Sequence, residues 1–220
     1  ERELTVILLV DVSGSQHFGT HKQFKDELVA EICATLSISA IRNNDKVGLI
    51  CFSDRIEAYI PPRKGTKHVL RVIRELLALE PEGSGTNVAG ALEFLNKVQK
   101  KRSIVFLVSD LQDRNWQRPL QIANRRHDVV AVRTDDTAEH ELPNVGLLRI
   151  VDPETNRAKV IDTSSKKVRQ AWKQLASERT IAIEQTLRRC NVDEIHVQTG
   201  EPFTNVLRQF FRRREGKRTA

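Results

Sequence analysis

The feature that most constrains the fold is an unbroken apolar stretch near the beginning of the chain. Leu4–Val10 holds seven apolar or β-branched residues in a row, and the run ends abruptly at Asp11. A run of this length, rich in Val, Ile and Leu and bounded by turn residues, is typical of a strand buried on both faces. Helices usually cover both faces of such a strand, so we expect a parallel sheet in an α/β fold.

The rest of the chain alternates between strand-like and helix-like segments. The pattern predicts further strands at 46–52, 103–108, 128–132 and 194–197, an edge strand at 56–60 that ends at Pro61-Pro62, and a strand or hairpin at 147–161. Helices are predicted near 22–42, 67–77, 88–98, 116–126, 166–190 and 202–211. The order predicts a doubly wound, mostly parallel sheet with helices on both faces and one antiparallel edge strand.

The positive charge of the chain is concentrated at its end. The net charge is +7, and residues 205–220 contain six basic residues and one acidic residue. We therefore predict one domain at residues 1–204 followed by a basic tail at residues 205–220. A frayed, solvated end is the favoured interpretation of the tail, with binding to nucleic acid or to an anionic membrane surface as the alternative.

Cysteine usage and hydropathy bear on the compartment. Cys33, Cys51 and Cys190 are far apart and lie in apolar surroundings, which favours free buried thiols over a disulfide framework or a zinc site. No apolar run approaches the roughly 18–20 residues that span a bilayer. We expect a cytoplasmic protein and leave association with a membrane open. Because the chain contains no Met, we also expect it to be a piece of a longer protein.

Three loops that follow or precede predicted elements carry oxygen-bearing side chains. Asp11, Ser13 and Ser15 follow the first strand, Thr86 lies in a glycine-rich loop, and Asp110 follows the strand at 103–108. Each residue alone is most often a turn or cap residue. If the two strands are neighbours, however, all five side chains face one crevice at the carboxyl edge of the sheet. Their oxygens suit a hard divalent cation such as Mg²⁺, or Mn²⁺ and Ca²⁺ less selectively.

Other residues near this edge receive structural interpretations. Gly14, Gly83 and Gly85 are expected to let the backbone turn tightly close to the ion. Asp135 and Asp136 end a strand at the same edge of the sheet; solvated turn residues are the favoured interpretation, with a role in shaping the rim of the site as the alternative. The six histidines show no paired spacing typical of metal ligands.

Several motifs resemble those of one known family. They are Asp11-Val-Ser-Gly-Ser-Gln, Arg42-Asn-Asn-Asp-Lys-Val-Gly-Leu, Tyr59-Ile-Pro-Pro-Arg-Lys-Gly and Leu142-Pro-Asn-Val-Gly. Together they resemble the bacterial "domain of unknown function 58" family. Asp11-x-Ser13-x-Ser15, Thr86 and Asp110 also look like the metal-ion-dependent adhesion site of von Willebrand factor type A domains.

The resemblance implies a type A fold and a role for each site residue. In type A sites the two serines and the threonine usually touch the metal, here Ser13, Ser15 and Thr86, while the aspartates, here Asp11 and Asp110, often act through water. The resemblance further implies a non-catalytic protein-interaction module that recognises an acidic residue of a protein partner. The expected partner is a MoxR-type AAA+ ATPase or its client; no small-molecule substrate is expected, and nucleic acid is disfavoured.

A Mg²⁺-dependent phosphoryl hydrolase is the main enzymatic alternative. An Asp after the first strand recurs in such enzymes, but its nucleophilic chemistry generally needs a second carboxylate or a basic residue close by. Here the residue two positions after Asp11 is Ser13, which disfavours the hydrolase. The chain also lacks a Gly-x-x-x-x-Gly-Lys-Ser/Thr run for nucleotide phosphates.

Overall fold

The computed structural model describes residues 3–17, 24–151 and 157–218. The strands are β1 (Thr5–Asp11), β2 (Lys46–Phe52), β3 (Ile56–Arg63), β4 (Ile104–Ser109), β5 (Asp128–Asp135), β6 (Leu147–Val151), β7 (Ala158–Asp162) and β8 (Asp193–Gln198). The helices are α1 (Lys25–Arg42), α2 (Thr66–Ala78), α3 (Val88–Val98), α4 (Gln117–Arg126), α5 (Thr137–His140), α6 (Lys166–Arg189) and α7 (Phe203–Arg218). The predicted start of α1 at residue 22 lies outside the described residues.

Six of these strands form the central sheet, in the order β3-β2-β1-β4-β5-β8. Neighbouring strands pair in parallel except β3, which runs antiparallel to β2 at one edge. The predicted fold class is therefore confirmed. β1 lies between β2 and β4, so the chain winds outwards in both directions from β1, and the carboxyl ends of β1 and β4 meet at the switch point of the sheet.

Alternation of side chains along β1 divides the core into two layers. Val6, Leu8 and Val10 pack on one face with residues of α1, α2 and α7. Ile7 and Leu9 pack on the other face with residues of α3, α4 and α6. The prediction that the first strand is buried on both faces is confirmed, and this placement leaves only its ends available for polar chemistry.

The edge strand is longer than the sequence predicts. β3 continues through Pro61 and Pro62 to Arg63, which pairs with Val47 across an irregularity in the register. Proline lacks an N–H, so it is tolerated in an edge strand where only one neighbour requires hydrogen bonds. The prediction that the strand ends at Pro61-Pro62 was therefore wrong, because the edge position that the sequence analysis itself predicts already tolerates proline.

The basic segment at the end is a packed helix over much of its length. In α7 the side chains of Phe203, Leu207 and Phe210 share one face and belong to the core. The Arg214 guanidinium lies 3.0 Å from Asp193 Oδ2 and also pairs with Asp128. The interpretation of this segment as a frayed end is thus corrected for residues up to Arg214; the domain boundary at 204/205 stays a prediction, although α7 runs across it.

Two smaller features complete the fold. β6 and β7 pair as a separate antiparallel hairpin, as the sequence predicts. All three cysteines are buried free thiols, and burial raises the pKa of Cys33 to about 12. Among the described residues, no helix combines the length and the apolar character needed to cross a lipid bilayer.

Candidate metal site

The five predicted ligands occupy the carboxyl edge of the sheet around β1 and β4. These strands are parallel neighbours, with Val10 opposite Val108, so the residues that follow them lie side by side. Asp11 ends β1, and Asp110 is the first residue after β4. The condition that the sequence argument placed on the site, adjacency of these two strands, is met.

Asp11 is a buried carboxylate held by neutral donors. It is 1% exposed, its Oδ1 accepts the Ser13 N–H at 3.0 Å, and its Oδ2 accepts the Ser109 hydroxyl at 2.6 Å. Burial and the nearby Asp110 raise the pKa of Asp11 above its ordinary value. No cationic side chain among the described residues pairs with Asp11, so its negative charge is poorly compensated by the protein itself.

The two serines lie together just beyond Asp11. A turn of 3₁₀ helix at Gly14–His17 follows Ser13, and the Ser13 and Ser15 hydroxyl oxygens are 3.2 Å apart. Adjacent ligands of an octahedral ion at about 2.1 Å lie about 3.0 Å from one another. The serine pair therefore has nearly the separation that two neighbouring ligands of Mg²⁺ require.

The glycine-rich loop closes over this turn. The Gly14 N–H donates to the Ser84 carbonyl at 3.2 Å, and Thr86 follows two residues later. Thr86 is half-buried and directly precedes Asn87, whose side chain accepts the Gly90 N–H and caps α3. Asn87, and not Thr86, is thus the capping residue, and Thr86 lies in the loop that contacts the serine turn.

Gly83 is required by a close approach of the backbone. A β-carbon at Gly83 would collide with the side chains of Ser53 and Asp54, and the Gly83 N–H donates to Glu57 Oε1 at 2.8 Å. Its φ is not positive, and neither is that of Gly14 or Gly85. A tight turn is present at Gly14, where the 3₁₀ turn begins, whereas at Gly83 the constraint is space, because hydrogen bonds to Glu57 hold the loop close to β3.

Asp110 points towards a lysine that the sequence argument missed. Lys25, the first residue of α1, is 1% exposed, and its ammonium lies 3.1 Å from Asp110 Oδ2 and 2.6 Å from Glu139 Oε1. Burial disfavours the charged form, but these two carboxylates outweigh it and raise the pKa of Lys25. Asp110 therefore has its own cation, whereas Asp11 does not.

A weak signal for this lysine does exist in the sequence. The positive end of the helix dipole disfavours a cation in the first turn, so a lysine at that position requires a compensating partner. The partners themselves, 85 and 114 residues away along the chain, could not be read from any local pattern.

Asp135 and Asp136 are buried, in contrast to their prediction as solvated turn residues. Asp135 Oδ2 lies 2.7 Å from an Arg133 nitrogen, 2.7 Å from His196 Nε2 and 3.1 Å from His140 Nε2. Burial opposes its ionisation, but the His196 hydrogen bond and the Arg133 charge prevail and lower the pKa of Asp135 to about 2.

Asp136 accepts the Ala138 N–H and the Thr199 hydroxyl. Both carboxylates thus have structural partners.

The donor set at the end of β1 fits a hard divalent cation. Within residues 3–17, 24–151 and 157–218 no group of three or more His, Cys, Asp or Glu side chains is placed to hold a metal. An ion here would therefore depend on hydroxyl oxygens beside one or two carboxylates, a set that suits Mg²⁺ better than zinc. The poorly compensated charge of Asp11 and the close serine pair are consistent with this.

Known proteins resemble the chain in both sequence and structure. The family model described as "Protein of unknown function DUF58" matches residues 1–181. The uncharacterized protein Rv1480 of Mycobacterium tuberculosis is 27% identical over 222 residues, covering 98% of this chain and 69% of that protein. The uncharacterized protein MAV169 of Mycobacterium avium is 26% identical over 161 residues, covering 71% of this chain and 95% of that protein.

Solved structures share the fold at low sequence identity. An aerotolerance-related membrane protein of Bacteroides fragilis, carrying multiple mutations to serines, superposes with a TM-score of 0.58 and 15% identity, covering 90% of this chain and 92% of that chain. Proximal thread matrix protein 1 of the mussel byssus superposes with a TM-score of 0.50 and 16% identity, covering 60% of this chain and 38% of that chain. Likenesses at these identities bear on the fold alone. From its family match and its sheet topology, this chain has a von Willebrand factor type A-like fold and belongs to the DUF58 family.

Proposed function

We propose that this domain is a non-catalytic protein-interaction module that binds one divalent cation at the end of β1 and thereby recognises an acidic residue of a protein partner. Mg²⁺ is the proposed ion. Ser13, Ser15 and Thr86 are the proposed direct ligands, with Asp11 and Asp110 supporting the ion through water.

The observation that carries this proposal is the pairing of a buried, poorly compensated Asp11 with two serine hydroxyls 3.2 Å apart. A buried carboxylate without a cationic partner is costly, and a bound cation would remove that cost. The hydroxyl of Ser109 orients Asp11, and the Asp11 carboxylate in turn holds the Ser13 backbone. These contacts keep the serine turn in place before any ion arrives.

The low charge of the donor set supports recognition of an external carboxylate. Three neutral hydroxyls leave most of the charge of a divalent ion uncompensated, and Asp110 is already paired with Lys25. When bound, the cation would supply an open coordination position for an acidic side chain from outside the domain. The chain's own residues bind and orient the ion, and we assign none of them to a chemical reaction.

A MoxR-type AAA+ ATPase or its client is the proposed partner, and this rests on the family resemblance alone. It is tested by co-purification of the two proteins with Mg²⁺ and with a chelator. We expect capture only with Mg²⁺, and we expect Asp11→Ala to abolish capture while leaving the circular dichroism spectrum unchanged. Capture that survives both the chelator and the substitution would refute metal-dependent recognition.

Calorimetric titration of Mg²⁺ and Mn²⁺ tests the site without any partner. We expect binding by the wild-type chain and none by Ser13→Ala/Thr86→Ala. Ser84→Ala is the matched control, because Ser84 is exposed in the same loop and contributes only its backbone carbonyl to the serine turn. Equal binding by the wild type and the double variant would place the ion elsewhere and contradict the proposed ligands.

A further inference from the structure

Beside the candidate metal site lies an open groove that no part of the proposed function uses. It has a volume of about 980 Å³ and runs between the segment after β4, helix α4 and helix α6. Its wall carries Arg114, Arg118, Arg125 and Arg179, and we call it the basic groove. It begins at Leu111 and Gln112, directly after Asp110.

The groove presents positive charge that the described residues do not neutralise. Arg114, Arg118 and Arg125 are exposed, and their guanidinium groups have no ion pair or hydrogen bond within the described part of the chain. Among the described lining residues, the single acidic one, Asp113, is already engaged. Its Oδ2 accepts the Val88 N–H at 2.9 Å, and its Oδ1 accepts the Arg114 backbone N–H at 2.6 Å. The field in the groove therefore favours an anionic occupant.

The groove also offers apolar surface. Ile122 is 45% exposed on α4, and the exposed Ala182 of α6 lines the opposite side. Arginines around an apolar floor are typical of surfaces that bind peptides, because the stems pack on apolar side chains while the guanidinium groups pair with carboxylates.

Nucleic acid fits this surface less well than an acidic peptide does. Single-stranded nucleic acid is bound largely by stacking of bases on accessible aromatic rings. The aromatic residue in the groove, Trp116, is only 5% exposed, and its indole N–H donates to the Asp113 carbonyl at 3.0 Å. Its ring is thus part of the core, so a base would have no ring in the described lining on which to stack.

The groove is connected to the candidate metal site through hydrogen bonds. Gln112 Oε1 accepts from Arg179 at 2.6 Å, and Gln112 Nε2 donates to Glu139 at 2.7 Å. Glu139 pairs with Lys25, which pairs with Asp110. The lining of the basic groove thus begins next to Asp110 in the chain and shares this hydrogen-bond network with it, which places the groove beside the candidate metal site.

We propose that the basic groove binds an acidic, partly apolar segment of the protein partner, adjacent in sequence to the residue recognised at the metal site. The proposal rests on the proposed function for the position of that first residue. It adds the chemistry of the partner: several Asp or Glu residues interspersed with aliphatic ones, and not a lone carboxylate.

The test measures binding of a fluorescein-labelled peptide of alternating Glu and Leu to the full chain by fluorescence anisotropy at low salt. A peptide with Gln in place of Glu is the ligand control. We expect Arg114→Glu/Arg118→Glu to weaken binding of the Glu peptide at least about tenfold, because two attractive contacts become repulsive. Arg71→Glu/Arg74→Glu is the protein control, because these exposed arginines lie on α2, across the sheet. It should bind the peptide like the wild type.

The outcomes separate the groove from the metal site. Equal affinity of the wild type and Arg114→Glu/Arg118→Glu for the Glu peptide would overturn the proposal, as would equal binding of the Gln peptide. Tighter binding of a single-stranded oligonucleotide than of the Glu peptide would also overturn it. In parallel, Mg²⁺ titration of Arg114→Glu/Arg118→Glu should match the wild type; absence of Mg²⁺ binding by both would refute the proposed function, while the peptide result would still decide on the groove.

Discussion

Removal of the Lys25 ammonium should destabilise the domain more than a typical substitution of a surface residue does. In Lys25→Met the Asp110 and Glu139 carboxylates lose the cation that lies 3.1 and 2.6 Å from them, in a region from which water is excluded. Removing one member of a buried ion pair costs about 3–5 kcal/mol, because the remaining charge is left unpaired. Met retains most of the lysine stem, so little of this cost reflects lost packing. We expect the free energy of unfolding to fall by about 3 kcal/mol at neutral pH.

The pH dependence of this loss identifies its cause. Burial already raises the pKa of Glu139, although Lys25 opposes that shift, so loss of Lys25 should raise this pKa further. A carboxyl group whose pKa is raised by folding binds a proton more tightly in the folded state, so its effect on stability becomes more favourable as the pH falls. The deficit of Lys25→Met should therefore shrink as the pH falls from neutral towards the ordinary pKa of Glu, about 4.3.

Urea denaturation at neutral and at mildly acidic pH measures both effects. Lys46→Met is the matched control, because its partner Glu3 is an exposed carboxylate and such a pair contributes about 0–1 kcal/mol. A loss at Lys25→Met no larger than that of the control, or a deficit that grows as the pH falls, would refute the account of Lys25 as the buried counter-ion of Asp110.

Three further predictions concern other parts of the domain. Gly83→Ala should lower the free energy of unfolding, measured with heat or urea, by about 1–3 kcal/mol, because the new β-carbon collides with Ser53 and Asp54. Gly85→Ala is the control and should cost less, because its β-carbon would have its nearest contact at 3.6 Å. Equal losses in the two variants would contradict the steric account. Asp135→Asn should lower the free energy of unfolding by about 2–3 kcal/mol at neutral pH, because the buried Asp135 carboxylate accepts hydrogen bonds from Arg133 and His196. Because folding lowers the pKa of Asp135, this advantage of the wild type should be lost as the pH falls from about 4 towards 2. Finally, we expect no Mg²⁺-dependent turnover of a generic phosphate ester by the wild-type chain. Turnover that disappears when the metal is chelated would instead support the hydrolase alternative.

The accuracy of the sequence argument differs between parts of the fold for physical reasons. β1 and β4 were predicted within a residue or two because a run of apolar residues bounded by turn residues is a local property. The antiparallel edge pairing of β3 was also predicted, but its length was not, since the cost of Pro61 and Pro62 depends on whether a second neighbour requires their N–H groups. Similarly, α7 continues past Phe211 because Arg214 finds acidic partners on β5 and β8.

The candidate site shows the same division. Asp11, Ser13 and Ser15 lie together because they follow one strand within five residues, and their proximity needs only the local turn. That Asp110 lies beside them required adjacency of β1 and β4, which the sequence argument could state only as a condition. The glycine-rich loop was recognised, but the reason for Gly83 is a close contact with the turn between β2 and β3 that no glycine pattern reveals.

The α/β architecture, the buried first strand and the oxygen-rich turn at its end follow from the sequence alone, because hydrophobic periodicity and turn chemistry act over a few neighbouring residues. Which charged groups meet depends on the tertiary packing. It pairs Lys25 with Asp110 and Glu139, buries Asp135 among Arg133 and two histidines, and leaves Asp11 without a cation among the described residues. Which charged side chains pair depends on which helix packs over the end of each strand. That arrangement is a property of the packed fold and not of any local stretch of the chain.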